Sequence, residues 1–277
     1  MCSSDLGLMD DGTEDLFDRH GLIPVLNSPG DIERWSNHAR ANGGRSAILA
    51  LDTGMSRLGL TRREAETLAQ TPSALDGIGL EYVMSHLACA DEPDHPMNAY
   101  QLDLFRRMTD GTGVPRSFAA TGGILLGKDY HFEITRPGIG LYGGQPFAAA
   151  RPVVRLDLPV AQVRHLEAGE VVGYGNSWRA RRPSRIASVV AGYADGLLRS
   201  LSNKGALWAG DVPCPLVGRV SMDTITVDVT DLEEVPSALM MIGPNQSFDD
   251  LASVAGTIGY EILTSLGSRY NRRYHSA

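Results

Sequence analysis

The sequence predicts an α/β plus β protein, in which a run of parallel βα units is followed by a mostly antiparallel β domain. Three observations predict it. From Gly21 to Gly143 short apolar runs alternate with helix-period segments, the pattern of parallel βα units. After about Gln145 apolar residues alternate with period two, broken by Gly, Pro and Asn, as in antiparallel strands. The 277 residues are 43% hydrophobic, enough for one large core or two modest ones.

Taken in order, Leu22–Asn27 is a strand, Ser28-Pro29 supplies a helix N-cap and first turn, and Ile32 to Ala41 is amphipathic. Ala47–Asp52 is the next strand. Thr61 and Glu64 have capping-box spacing and open a helix to about Gln70. Then come strand Glu81–His86, helix Asn98–Met108, strand Ser117–Thr121 with a short helical stretch, and strand Phe132–Arg136. A closed (β/α)8 barrel needs eight such units and about 250 residues. Five strands therefore predict a partial TIM barrel over residues 1–144, about five of eight units. Residues 145–277 form the β domain, with strands at Val153–Pro159, Arg185–Gly192, Leu207–Leu216, Thr224–Val229 and Leu239–Ile242, and helices at Phe248–Ala255 and Tyr260–Gly267.

Composition narrows the function. A net charge of −8 argues against a nucleic-acid backbone as partner, since that needs clustered positive charge. No apolar run approaches the roughly 18 residues of a membrane span, and Met1 to Phe17 has no secretory pattern, so a cytoplasmic protein is expected. Cys2, Cys89 and Cys214 are odd in number and far apart, which argues against a disulfide framework and a zinc site. Of 25 Lys and Arg, only Lys128 and Lys204 are lysine.

In a parallel barrel the reactive groups sit at the C-terminal ends of strands. Asp52–Arg57, His86–Glu92, Thr121–Gly123 and Arg136–Gly140 all fall there, which places them on one rim. Gly138 and Ile139 after Arg136, and Thr121 before two glycines, offer backbone N–H donors and a hydroxyl suited to a phosphate. In the β domain Gly192-Tyr-Ala-Asp-Gly196 and Gly218–Asp223 lie at strand ends; by spacing alone Tyr193 reads more readily as a packed residue with a wet hydroxyl.

These motifs, with Leu51-Asp-Thr-Gly-Met-Ser-Arg-Leu-Gly59, Ser85-His-Leu-Ala-Cys-Ala-Asp-Glu92, Arg136–Gly143 and Thr257–Glu261, resemble those of alanine racemases, in the family's order and over Gly21 to Tyr274. The resemblance implies a (β/α)8 barrel and β domain in a head-to-tail homodimer with shared active sites, and a pyridoxal 5'-phosphate isomerase that interconverts L-alanine and D-alanine for cell-wall precursors. It implies that Tyr193 is the acid or base on the L-alanine face and that His86 orients it. Arg57, Met222 and Asp223 would contact substrate, Met222 through its backbone N–H. Thr121, Gly138, Ile139 and Tyr260 would hold the cofactor phosphate. Arg136 would face the pyridine nitrogen, where a guanidinium with a pKa above about 12 keeps its proton.

Two departures follow from the same resemblance. The family's Schiff-base lysine, its second proton carrier, has no counterpart: Lys128 lies in a helix-to-strand loop and Lys204 in a β-domain turn. With the short strand count and with Met1–Leu6, which fits no family pattern, this leads to the expectation of an N-terminally truncated gene model, inactive alone. Ala50 stands where many members carry a carbamylated lysine that steadies the arginine equivalent to Arg57. A non-catalytic remnant or binding paralogue, or a racemase for another amino acid such as serine, remains the alternative at this point.

Overall fold

The computed structural model describes residues 3–4, 7–10 and 12–275. It consists of two compact units, Met1–Gly138 and Ile139–Ala277. In the first, six strands form one parallel sheet in sequence order: β1 Ser3–Ser4, β2 Ile23–Leu26, β3 Arg45–Ala50, β4 Ile78–Met84, β5 Arg116–Ala120 and β6 Ile134–Arg136. The helices between them are α1 Thr13–His20, α2 Pro29–Ala41, α3 Arg62–Gln70, α4 Pro96–Thr109 and α5 Thr121–Leu125.

All five expected strands form, as β2 to β6. Two elements were not anticipated. The short β1 pairs with β2 (Ser3 opposite Ile23) in a stretch that fits no family pattern. Helix α1 buries only Phe17 and has no side-chain N-cap, so it leaves little periodic signal; the rest of Met1–Leu6 lies outside the described residues.

The local reasons for the helices are those the residues offer. Ser28 Oγ accepts the Asp31 N–H at 3.1 Å with Pro29 at the first helical position, so α2 starts where its orphan donors are satisfied. The capping box of α3 closes in both directions, with Glu64 accepting the Thr61 N–H at 2.9 Å. Both faces of the sheet carry apolar residues, as is usual for parallel strands. Leu26, Ala47, Leu49, Val83 and Phe118 pack with Trp35, Leu102 and Phe105 of the helices. The alternate residues Val25, Ile48, Ala50 and Met84 gather on the opposite face with Ile23 and Tyr82.

The second unit holds a six-stranded antiparallel sheet of order β12-β11-β14-β7-β10-β13. Its strands are β7 Leu156–Leu166, β10 Ser184–Val189, β11 Ala206–Ala209, β12 Val212–Pro215, β13 Ile225–Asp228 and β14 Ala238–Ile242; β8 Val171–Val172 and β9 Trp178–Arg179 make a separate ribbon. Helices α6 Phe248–Ala255 and α7 Gly259–Ser265 follow. Strand β7 starts later than expected and runs through Pro159 instead of stopping there. Residues up to Pro159 pair with β14, and from Val160 onward the strand pairs with β10. The missing proline N–H falls where the strand changes partner, so no ladder bond is sacrificed. The core of this unit is built from Leu158, Val189, Leu207, Val227, Leu239, Met241 and Phe248.

Candidate active site

In the first unit, the loop after β3 is shaped by Asp52, whose carboxylate accepts the N–H groups of Gly54 at 2.9 Å and Ser56 at 3.0 Å. It closes through an Asp52 N–H bond to the Leu60 carbonyl and a Leu60 N–H bond to the Ala50 carbonyl. Gly59, at φ 103°, sits so close to the Leu51 and Asp52 backbone that no Cβ fits. The loop exposes Arg57, which makes no ion pair among the described residues. Arg57, Ala50, Asn27 and His86 line one cavity of about 100 Å³ at the strand ends.

Behind that cavity lies a buried polar network. Thr53 Oγ1 meets Ser85 Oγ at 2.8 Å. Gln101, on α4 and fully buried, donates to Thr53 Oγ1 at 3.1 Å and to the His86 carbonyl at 3.0 Å, and accepts the Ala88 N–H at 2.9 Å. A single neutral amide thus fixes the loops after β3 and β4. Arg136, at the end of β6, donates to Ser117 Oγ and to the Ser85 carbonyl, both at 2.7 Å. Its Nη2 also lies 3.5 Å from His86 Nδ1. A guanidinium only donates, so at this contact Nδ1 can act only as the acceptor.

At the next strand end, Thr121 Oγ1 accepts the Gly138 N–H at 3.0 Å. Gly122 and Gly123 pack against Ala90 and Leu87 with little room for a side chain, which brings the start of α5 close to the loop after β4.

The second unit brings together Tyr193, Met222 and Asp223. Tyr193 opens a one-turn helix, Tyr193–Asp195, whose backbone is bonded to the facing loop: the Tyr193 N–H donates to the Ser221 carbonyl at 2.9 Å and the Ala194 N–H to the Met222 carbonyl at 3.0 Å. Gly192 and Gly196 bracket the turn. A Cβ at Gly192 would overlap the Met222 carbonyl, and one at Gly196, where φ is 97°, would overlap the Ser265 carbonyl. Tyr193 is 45% exposed and Met222 53%, so both are accessible on this unit. Among the described residues neither the Tyr193 phenol nor the Met222 N–H has a hydrogen-bond partner. Elsewhere in the unit the Ile139 N–H donates to the Tyr260 hydroxyl at 3.2 Å. Tyr260 is placed by Gly259, which packs against Asp249 and Phe248 where a Cβ would not fit.

Asp195 closes the Tyr193 turn by accepting the Gly192 N–H at 2.9 Å, and Arg269 grips the same carboxylate at 2.7 and 2.8 Å. The Arg269 guanidinium holds the Asp195 carboxyl below its usual range, against a smaller opposing effect of burial. Arg269 reaches Asp223 as well, at 2.7 Å. Gln101 and Arg269 are the two site residues that sequence reading missed. Nothing in Asn98–Met108 or in the tail marks them, because their partners lie far away along the chain. Both lysines are exposed, Lys128 in a turn after α5 and Lys204 ahead of β11.

Parallel strands ending in arginine, histidine and hydroxyl groups, followed by a β unit that presents a phenol beside a free amide, define an α/β-plus-β enzyme equipped for proton transfer. The family models "Alanine racemase, N-terminal domain" and "Alanine racemase, C-terminal domain" match residues 6–146 and 153–274. The chain belongs to the alanine racemase family, whose members are pyridoxal-phosphate-dependent isomerases. It is 64% identical over 253 residues to an alanine racemase of Cereibacter sphaeroides, covering 91% of this chain and 71% of that protein. It is 55% identical over 267 residues to the alanine racemase of Jannaschia sp., covering 96% and 75%. Among solved structures, the alanine racemase of Bartonella henselae with covalently bound pyridoxal phosphate superposes with a TM-score of 0.89 at 39% identity, covering 99% of this chain and 79% of that one. The biosynthetic alanine racemase of Pseudomonas aeruginosa gives 0.86 at 33%, covering 98% and 78%. No helix among the described residues is long and apolar enough to cross a membrane.

Proposed function

We propose that this chain carries the substrate-handling and cofactor-handling residues of a racemase that interconverts L-alanine and D-alanine with pyridoxal 5'-phosphate, as a cytoplasmic homodimer supplying cell-wall precursors. The observation that carries it is the pairing of the exposed Tyr193 phenol with the unpartnered Met222 N–H on two mutually bonded turns. One group moves a proton and the other holds a carboxylate, which is what the α-carbon of an amino acid demands.

The residues present fit the cofactor. In the first unit the Gly138 N–H and Thr121 hydroxyl, and in the second the Ile139 N–H and Tyr260 hydroxyl, are bonded to each other as uncharged polar pairs, the kind of groups that would turn toward a phosphate dianion when it binds. When bound, pyridoxal phosphate supplies the electron-withdrawing ring that acidifies the α-hydrogen of an amino acid. Arg136, permanently protonated, would donate to the ring nitrogen of a bound cofactor without giving up its proton. In the first unit the exposed Arg57 would supply a cation for the substrate carboxylate, and in the second unit the Met222 N–H and Asp223 would contact substrate. Tyr193 takes or returns the proton on the L-face.

The anchoring lysine that serves the other face has no counterpart among the 277 residues, and on this reading the chain alone does not racemise alanine. The test is an absorbance spectrum of the purified chain with pyridoxal phosphate, before and after borohydride, beside the same chain carrying a restored lysine-bearing barrel segment. A reducible band and racemase activity are expected only in the restored protein. A reducible band in the chain as it stands would assign the role to Lys128 or Lys204 and overturn this reading.

A further inference from the structure

We propose that Arg269 is a positioning residue, which locks the Tyr193 turn and the Met222 loop into one rigid piece so that phenol and carboxylate-binding amide keep a fixed separation. The proposal rests on the roles given above to Tyr193 and Met222. Three features of the second unit carry it.

First, Arg269 spans both turns. Two of its nitrogens close on Asp195, two residues after Tyr193, and Nη2 also meets Asp223, next to Met222. The Asp195 side chain is only 9% exposed, whereas that of Asp223 is 55% exposed, so the first pair is the anchor and the second the reach. A bidentate, charge-assisted pair on a buried carboxylate, even with its arginine half exposed, is stronger than an exposed single contact.

Second, the two turns touch with no slack. The Tyr193 and Ala194 N–H groups donate into the Ser221 and Met222 carbonyls, and Gly192 packs where a Cβ would overlap the Met222 carbonyl. A small rotation of either turn must therefore break bonds or move both.

Third, the tail carrying Arg269 is itself fixed to the same turn. The Gly267 N–H donates to the Asp195 carbonyl at 3.1 Å, and Gly196 abuts the Ser265 carbonyl. Arg272 adds a bond to the Leu266 carbonyl at 3.0 Å. The guanidinium thus arrives from a segment that is already docked, and little ordering is left to be done when it grips the carboxylates.

The test needs neither cofactor nor turnover. Amide hydrogen exchange of the full chain is compared with Arg269→Met, Arg269→Lys and Asp223→Asn, together with the carbon-13 ring resonance of Tyr193, assigned by its absence in Tyr193→Phe. In Arg269→Met the Tyr193 and Ala194 amides should exchange at least about tenfold faster, while the β7–β10 ladder stays protected and the Tyr193 resonance moves or broadens. Arg269→Lys, which keeps one charged contact but not the fork, should restore part of the protection and of the resonance. Asp223→Asn should release the Ala194 amide less than Arg269→Met does. Unchanged exchange and an unmoved Tyr193 resonance in Arg269→Met, or an equal rise over the whole sheet, would overturn the proposal. Either result leaves the assignment of Tyr193 to proton transfer untouched. That assignment falls separately, and this inference with it, if Tyr193→Phe leaves racemisation by the restored protein undiminished.

Discussion

Arg136 and Ser85 meet through a 2.7 Å hydrogen bond from the guanidinium to the Ser85 carbonyl, although β5 lies between their strands in the sheet. The same side chain donates to Ser117 Oγ on β5 itself, and Ser117 in turn donates to the Ile134 carbonyl at 3.0 Å. One cation therefore ties the ends of β4 and β6 to the start of the strand between them. Ser117→Ala, at a fully buried position, removes an acceptor and a donor together. It should cost about 2 kcal/mol, read as a lower urea midpoint with an unchanged slope. A midpoint equal to that of the parent chain would mean that Arg136 is held by other contacts.

The amide of Gln101 makes a second prediction of the same kind but larger size. Gln101→Leu keeps the volume and leaves the Ala88 N–H, the His86 carbonyl and Thr53 Oγ1 short of a partner. Loss of about 3 kcal/mol is expected, with enhanced exchange of the Ala88 amide well beyond that of its neighbours. Gln101→Glu should be no milder, because it buries a carboxyl among groups that already include a carbonyl acceptor.

Acid should loosen the Tyr193 turn through Asp195. Its carboxyl is held below the usual value of about 3.8, first by the Arg269 hydrogen bonds. An acid whose folded value is depressed adds stability that is complete above the unfolded value and disappears as pH falls through the folded one. The parent chain should therefore lose this contribution below about pH 4. Arg269→Met never has it, so the difference in urea midpoint between the two proteins should shrink from pH 6 to pH 2. A difference independent of pH would show that the pair adds nothing.

Tyr270 works in the opposite direction. Its hydroxyl is buried without a hydrogen-bond partner among the described residues, and burial, helped by the Asp195 charge, pushes the phenol up to about 12. The unfolded chain releases that proton near pH 10, so stability is full below about 10 and falls as pH rises toward the folded value. Tyr270→Phe should remove this alkaline loss and, by deleting an unsatisfied polar atom, raise stability by about 1 kcal/mol at pH 7. Thermal melts at pH 7 and pH 11 distinguish the two; a parent and a variant that soften equally at pH 11 would contradict the assignment.

Much of this was legible in the sequence because the deciding contacts are local. Ser28 with Asp31 and Thr61 with Glu64 each close within a single helical turn, and α2 and α3 begin where Ser28-Pro29 and Thr61 announce them. The strand-end motifs were legible too, since alternation of strand and helix fixes which end of each strand shares a rim. Strand β7 was misjudged because a proline reads as a stop unless the partner change at Pro159 is known. Gln101 and Arg269 could not be found at all: they bond Thr53 and Asp195 across 48 and 74 residues, and no spacing in the chain encodes such a pair.

Gly192 and Gly196 leave this stretch of the gene with few routes for drift. Every amino-acid-changing single-base step away from a glycine codon installs at least a methyl group, and at both positions that methyl would coincide with a backbone carbonyl of a neighbouring segment. Variation around the Tyr193 turn must then enter through Ala194 or through the facing loop, where a change of side chain does not require two pieces of backbone to part.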